Sequence, residues 1–132
     1  MISYNEYNCN PKKRKTGDCS TRAVATILNI SWQEALQEQF KWSLKTCYDT
    51  TSKQVIEKLL EDWGWVKMKQ PRKANGKKYE VRELDEILTP KQMQEGVLVT
   101  IANHHTCIKD RMIQDIWNCG RKSVGNYYIR KK

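Results

Sequence analysis

Gly17-Asp18-Cys19-Ser20-Thr21-Arg22-Ala23-Val24-Ala25-Thr26-Ile27-Leu28 decides how the rest of the chain is read. Ala23, Val24, Ile27 and Leu28 recur at helical spacing, so the stretch predicts a helix with one buried face that stops near Asn29. Cys19 stands at its entrance. A helix N-terminus carries partial positive charge and unsatisfied N–H groups, which favour a thiolate over a thiol. A cysteine on a helix is commonly a small core hydrophobe. Cys19 is set apart by its place in the first turn and by two features far downstream, His104-His105 and then Asp115. Cysteine, histidine and carboxylate are the parts of an activated-thiol catalyst.

Outward from that helix, residues 1–17 read as irregular, rich in Asn, Pro, Lys and Gly. Ser31-Trp32-Gln33-Glu34 is a capping box, and Trp32, Ala35, Leu36 and Phe40 mark the apolar face of a second helix. A third helix is expected from Thr51 or Ser52, burying Val55, Ile56, Leu59, Leu60 and Trp63 and ended by Gly64. Trp65, Val66 and Met68 predict a short strand, and Asn75-Gly76 a turn inside a polar loop. Val81, Leu84, Ile87 and Leu88 predict a short helix ended before Pro90. Strands come next over Val97–Ala102, His104–Lys109, Met112–Trp117 and roughly Asn126–Arg130, with Asp110-Arg111 as a turn. Helices first and an antiparallel sheet after is the α+β pattern.

The chain has 132 residues, so a single domain spanning 1–132 with one core is expected, with five tryptophans supplying bulk. No run of about 18 apolar residues occurs, so no membrane span is expected. Met1-Ile2-Ser3-Tyr4-Asn5-Glu6 lacks the apolar centre of a signal peptide, which points to a reducing cytosol. Five cysteines, an odd number, argue against a disulfide framework. A zinc site from Cys9, Cys19, His104 and Cys107 matches no established ligand spacing, so no metal or cofactor is expected. The formal charge of +9 allows polyanion contact, and Lys12-Lys13-Arg14-Lys15 ends just before Gly17. Apart from that run and Arg130-Lys131-Lys132, the basic residues are dispersed through many elements, which weighs against a nucleic-acid-binding module.

Thiol catalysis needs a sulfur deprotonated near neutral pH, a base within hydrogen-bond reach, and an acceptor orienting that base. Cys19 meets the first need, His104 or His105 the second, Asp115 the third. Neighbouring strand residues point to opposite faces, so at most one histidine faces the sulfur. His104 lies six residues before Asp110 and Asp115 five after it, so the two are expected to face each other across the hairpin.

Gly17-Asp18-Cys19-Ser20-Thr21-Arg22-Ala23 resembles the nucleophile helix of the papain-like cysteine peptidases. The likeness is greatest to their small versions in bacteria and phages, where a Gly-Asp-Cys triplet precedes an Arg-Ala pair. His104-His105-Thr106-Cys107-Ile108-Lys109-Asp110 with Asp115-Ile116-Trp117 is similar to their histidine strand and following Asp-x-Trp strand, and Val124-Gly125-Asn126-Tyr127-Tyr128 to their closing segment. The resemblance runs from about Asn10 to Ile129, carried by the two ends. It implies a helical lobe whose nucleophile helix packs on a C-terminal β-sheet, and hydrolysis of a peptide or isopeptide bond through an acyl-thioester. Cys19 would be the nucleophile, Asp115 the orienter, and His104 the base, since the family's small residue three positions on and turn six positions on fall at Cys107 and Asp110. The partner would be a peptide or protein, with the basic rim favouring an acidic one. The chain departs from the family in having no Gln before Gln33; Lys13 holds the usual offset, and Asn8 or Asn10 is within reach of the role. Arg111 stands where relatives often carry Gly. Losing one oxyanion donor costs about 3 kcal/mol of transition-state stabilisation. That leaves a second expectation, a catalytically weak papain-fold protein that binds a host partner, as phage-encoded inhibitors do.

Overall fold

The computed structural model describes residues 1–131. Four α-helices, α1 (Cys19–Leu28), α2 (Trp32–Thr46), α3 (Lys53–Asp62) and α4 (Pro90–Glu95), and one 3₁₀ helix (Val81–Glu86) surround six strands. The strands are β1 (Ser3–Glu6), β2 (Trp65–Met68), β3 (Val97–Ile101), β4 (His104–Lys109), β5 (Met112–Asp115) and β6 (Tyr127–Arg130). They form one sheet in the order β1-β5-β4-β3-β6-β2. The class is α+β. The expectation of a purely antiparallel sheet is corrected: β1 runs parallel to β5, with Glu6 opposite Asp115, so the sheet is mixed. Ser3-Tyr4-Asn5-Glu6 escapes recognition because an edge strand of mostly exposed residues has no apolar alternation to read.

The sheet is covered on both faces, so there are two cores, not one. On one side α1, α2 and α3 bury Ala23, Val24, Ile27, Ile56, Leu59 and Leu60 against Leu98, Cys107 and Tyr128. On the other, the 3₁₀ helix and α4 bury Val81, Leu84 and Met93 against Val99, Ile108 and Ile113. This explains why β3 reads as an unbroken apolar run: all five of its residues are buried.

Local chemistry sets the element ends. Ser31 and Glu34 form the expected capping box of α2, and Ser52 caps α3 by accepting from the Val55 N–H at 3.2 Å. Asn29 ends α1 in the left-handed conformation at φ 56°. α4 departs from expectation, because Pro90 reads as a breaker; here it occupies the first helical turn, where its missing N–H costs nothing, and Thr89 caps it. Asp110 and Arg111 both adopt positive φ, and the α4 carbonyls of Gln94 and Met93 accept their N–H groups, holding a turn that lacks the usual glycine.

Three aromatic placements differ from expectation. Phe40 is 53 % exposed, and the buried residues of α2 are Ala35 and Gln39. Gln39 accepts from Thr21 Oγ1 at 2.7 Å and donates to the Thr50 carbonyl at 2.9 Å, so a polar tie occupies the face assigned to an aromatic. Trp63 lies outside the α3 core and donates to Glu38 from its indole N–H. Among the five tryptophans only Trp65 is a buried core residue.

Candidate active site

Cys19 is the first residue of α1, and Asp18 precedes it as N-cap without capping the helix through its side chain. The Asp18 carboxylate is occupied elsewhere. It accepts from Arg22, from Asn10 Nδ2 at 3.1 Å and from the Trp32 indole N–H at 2.9 Å. The first-turn N–H groups of α1 therefore keep their partial positive charge at the sulfur.

His104 begins β4 and Asp115 ends β5, with His104 Nε2 and Asp115 Oδ2 2.7 Å apart. Their pairing is not face to face. The ladder sets Ile108 opposite Ile113 and Lys109 opposite Met112, and continued along the strands it sets Thr106 opposite Asp115. His104 and Asp115 are thus diagonal neighbours on one sheet face, a spacing that long side chains bridge. Trp117 packs on the His104 ring, with centroids 5.1 Å apart and planes at 51°.

Asp115 is buried and held from several sides. Its Oδ1 accepts the Ile116 N–H at 2.7 Å, and its carbonyl accepts from Tyr4 Oη at 3.1 Å and the Tyr7 N–H at 2.8 Å. The Arg22 guanidinium lies between the Asp18 carboxylate and Asp115 Oδ1, 3.8 Å from the latter. A continuous polar line thus runs from Trp32 and Asn10 through Asp18, Arg22 and Asp115 to His104.

These contacts set the electrostatics. Burial pushes the Cys19 thiol up, but the nearby His104 side chain and then the His105 side chain and N–H, all favouring the thiolate, outweigh it and bring the thiol down to about 5. Burial alone would lower His104; its hydrogen bonds to Asp115 and Cys19 instead raise it to about 9. Asp115 is held below the ordinary carboxylate range against its own burial, first by the His104 hydrogen bond. Since Nε2 of His104 faces Asp115, Nδ1 is the nitrogen left for the sulfur. Between about pH 5 and pH 9 the pair is a thiolate beside an imidazolium. The other buried thiols behave oppositely: burial pushes Cys107 up, and pushes Cys119 up to about 11.

The residues weighed as side-chain donors to an oxyanion are engaged elsewhere. Asn10 binds Asp18, Asn8 Nδ2 donates to the Arg14 carbonyl, and Lys13 Nζ donates to the Asn8 carbonyl at 2.8 Å. The backbone N–H of Cys19 remains for that role.

The ligand atoms of His104, Asp115 and Cys119 lie within 4.8 Å of one another, the one group of metal-ligand type among the described residues. The His104–Asp115 separation is that of a hydrogen bond, and the Cys119 thiol sits 3.8 Å from Asp115 Oδ2 as a further weak donor. The set of Cys9, Cys19, His104 and Cys107 does not come together as such a group.

A cleft of about 540 Å³ opens in front of the sulfur, walled by Gly17 and Cys19, by Thr51 and Lys53, and by Ala102 and Asn103 of the β3–β4 turn. No described helix is long and apolar enough to cross a membrane. No protein-family model, curated protein or solved structure matches the chain.

Proposed function

We propose that the chain is a small cysteine peptidase of the papain-like type that hydrolyses a peptide or isopeptide bond through Cys19, His104 and Asp115. The observation that carries this reading is an arrangement: Cys19 opens α1 and shares the wall of an open cleft with His104, whose Nε2 lies 2.7 Å from Asp115 Oδ2, a setting that lowers the thiol to about 5 and raises the imidazole to about 9. Structural cysteines go the other way, as Cys107 and Cys119 do.

In this reading the Cys19 thiolate attacks the carbonyl carbon, forming a C–S bond and placing negative charge on the carbonyl oxygen. The Cys19 N–H at the open helix end faces that charge. His104 passes its Nδ1 proton to the amine as the C–N bond breaks, leaving a thioester. Water then attacks, gives its proton to His104, and the C–S bond breaks to restore the ion pair. Asp115 keeps the ring oriented and supports its positive form, and Trp117 covers it. Lys53, which forms no ion pair among the described residues, favours an acidic peptide in the cleft.

Cys19→Ala is expected to abolish hydrolysis, and His104→Ala to reduce it by about 10²–10⁴-fold or more. Iodoacetamide at about pH 6 should label Cys19 ahead of the other thiols; labelling of all five cysteines at one rate would contradict the reading. A second reading, a catalytically weak protein that binds a host partner, is favoured by the engagement of Asn8, Asn10 and Lys13, which leaves the oxyanion without a side-chain donor. A Cys19→Ala protein that keeps its full biological effect would select it.

A further inference from the structure

The second histidine is the feature the reaction does not use. We propose that His105, clamped by Ser20, is a positioning residue that sets the Cys19 sulfur against His104. The inference rests on the reading of Cys19 as nucleophile and extends it.

Ser20 Oγ and His105 Nδ1 are 2.7 Å apart, and the two residues are separated by 85 positions in the chain. Both are buried, at 2 % and 8 % exposure. Each is the immediate neighbour of a reacting residue: Ser20 follows Cys19 on α1, and His105 follows His104 on β4. One hydrogen bond between these elements fixes how far the first turn of α1 stands from the start of β4, and how that turn is rotated about the helix axis. Those two variables decide whether the sulfur meets the imidazole one residue back on each element. A displacement of about 1 Å in such a pair costs about 10²-fold in rate.

The surroundings support a specific role. His105 lines the open cleft together with Cys19, and it also lines the small cavity of about 10 Å³ behind the sulfur, with Tyr7, Arg22, Thr106 and Asp115. It therefore sits on both sides of the thiolate's environment. Besides His105, the titratable and charged groups facing this region are His104 on β4, Asp115 on β5, Arg22 on α1, Asp18 and Tyr7 from the N-terminal segment, and Lys53 across the cleft. After burial, which opposes ionisation, the groups favouring the thiolate are His104 and then the His105 imidazole and N–H. A Phe or Val at position 105 would fill the space and bury the strand equally well. The hydrogen bond satisfies two buried polar groups at once, and what sets it apart is its place, one residue beyond Cys19 on one element and one beyond His104 on the other.

The test is the pH profile of Cys19 alkylation, followed peptide by peptide by mass spectrometry, with exposed Cys47 as internal standard and thermal melting to establish folding. No substrate is required. The intact chain should show a labelling limb near pH 5. Ser20→Ala and His105→Ala should move that limb upward by about one unit, slowing labelling roughly tenfold at about pH 4, below both limbs, and only about twofold at about pH 6. His105→Gln, whose amide can meet Ser20, should restore most of the rate. Folded Ser20→Ala protein with the limb of the intact chain would overturn the proposal even if His105→Ala fails to fold. An intact chain whose Cys19 labels no earlier than Cys47 would instead overturn the nucleophile reading on which the proposal rests.

Discussion

At the residue scale the site is an ion pair made by its surroundings. Helix-end N–H groups and an imidazole favour the sulfur's charge, and a buried carboxylate favours the imidazole's. The proposed hydrolysis should therefore trace a bell with limbs near 5 and 9, belonging to the pair and not to either residue alone. Asp115→Asn should bring the upper limb down from about 9 toward the ordinary histidine value of 6.5, and cut kcat/KM by about 10²–10⁴-fold; an unmoved upper limb would show that Asp115 does not hold the imidazolium. Stability carries the same signature. Between pH 5 and pH 6.5 the unfolded chain keeps both protons, because its thiol titrates near 9 and its imidazole near 6.5, while the folded pair keeps only the one on His104. The pair's contribution to stability therefore rises with pH across that window, is flat from 6.5 to 9, and is lost as pH falls through 5. The gap between the urea midpoints of the intact chain and Cys19→Ser should open above about pH 5 and keep widening past pH 6.5, because Asp115 still holds His104 protonated in the folded variant while the intact pair is flat there. Cys19, His104 and Asp115 are legible in the sequence because each residue type is rare in its setting: a thiol in a first helical turn, adjacent histidines on a strand, a carboxylate past a tight turn. The Ser20–His105 clamp is not, since nothing local ties residues 85 positions apart. Nor is the diagonal His104–Asp115 geometry, which depends on the register that the Asp110-Arg111 turn imposes.

At the element scale, α1 and β4 carry Cys19 and His104, and a buried charged line runs between their elements. Arg22 and Asp18 are 6 % and 8 % exposed, and Asp115 is buried beyond them. Removing one member of such a set leaves an uncompensated buried charge. Arg22→Met should destabilise the fold by about 3–5 kcal/mol, with an earlier urea midpoint, and pairing it with Asp18→Leu should recover part of the loss. A single variant as stable as the intact chain would show that the line contributes nothing to folding. β4 is readable to its ends because a glycine-free run of strand formers is framed by a turn. Other elements are hidden for definite reasons. β1 is a polar edge strand, Pro90 begins α4 where it reads as a stop, and α2 buries Gln39 while exposing Phe40. For the strand and the glutamine a tertiary partner overrides the local pattern: β5 for the first, Thr21 and Thr50 for the second.

At the scale of the whole molecule, a mixed sheet covered on both faces sets the helix mouth over the strand ends, and the N-terminal segment buttresses Asp115 through Tyr4 and Tyr7. The chain carries a formal charge of +9, and the exposed lysine lining the cleft is Lys53. Lys53→Glu is expected to raise KM for acidic peptides by roughly tenfold while leaving neutral ones near their original values, and added salt should weaken acidic peptides in the same direction; equal changes for both peptide classes would remove Lys53 from substrate selection. The class of fold is legible because helical and strand periods separate cleanly along the chain, whereas the parallel edge and the second core require contacts between distant segments. The central claim is tested most directly by the ionisation of Cys19, read as the ultraviolet thiolate absorbance of the intact chain minus that of Cys19→Ser across pH. The expected difference signal grows in with a midpoint near 5 and persists through neutrality. A difference signal that emerges only near 9, the ordinary value for a thiol, would contradict it.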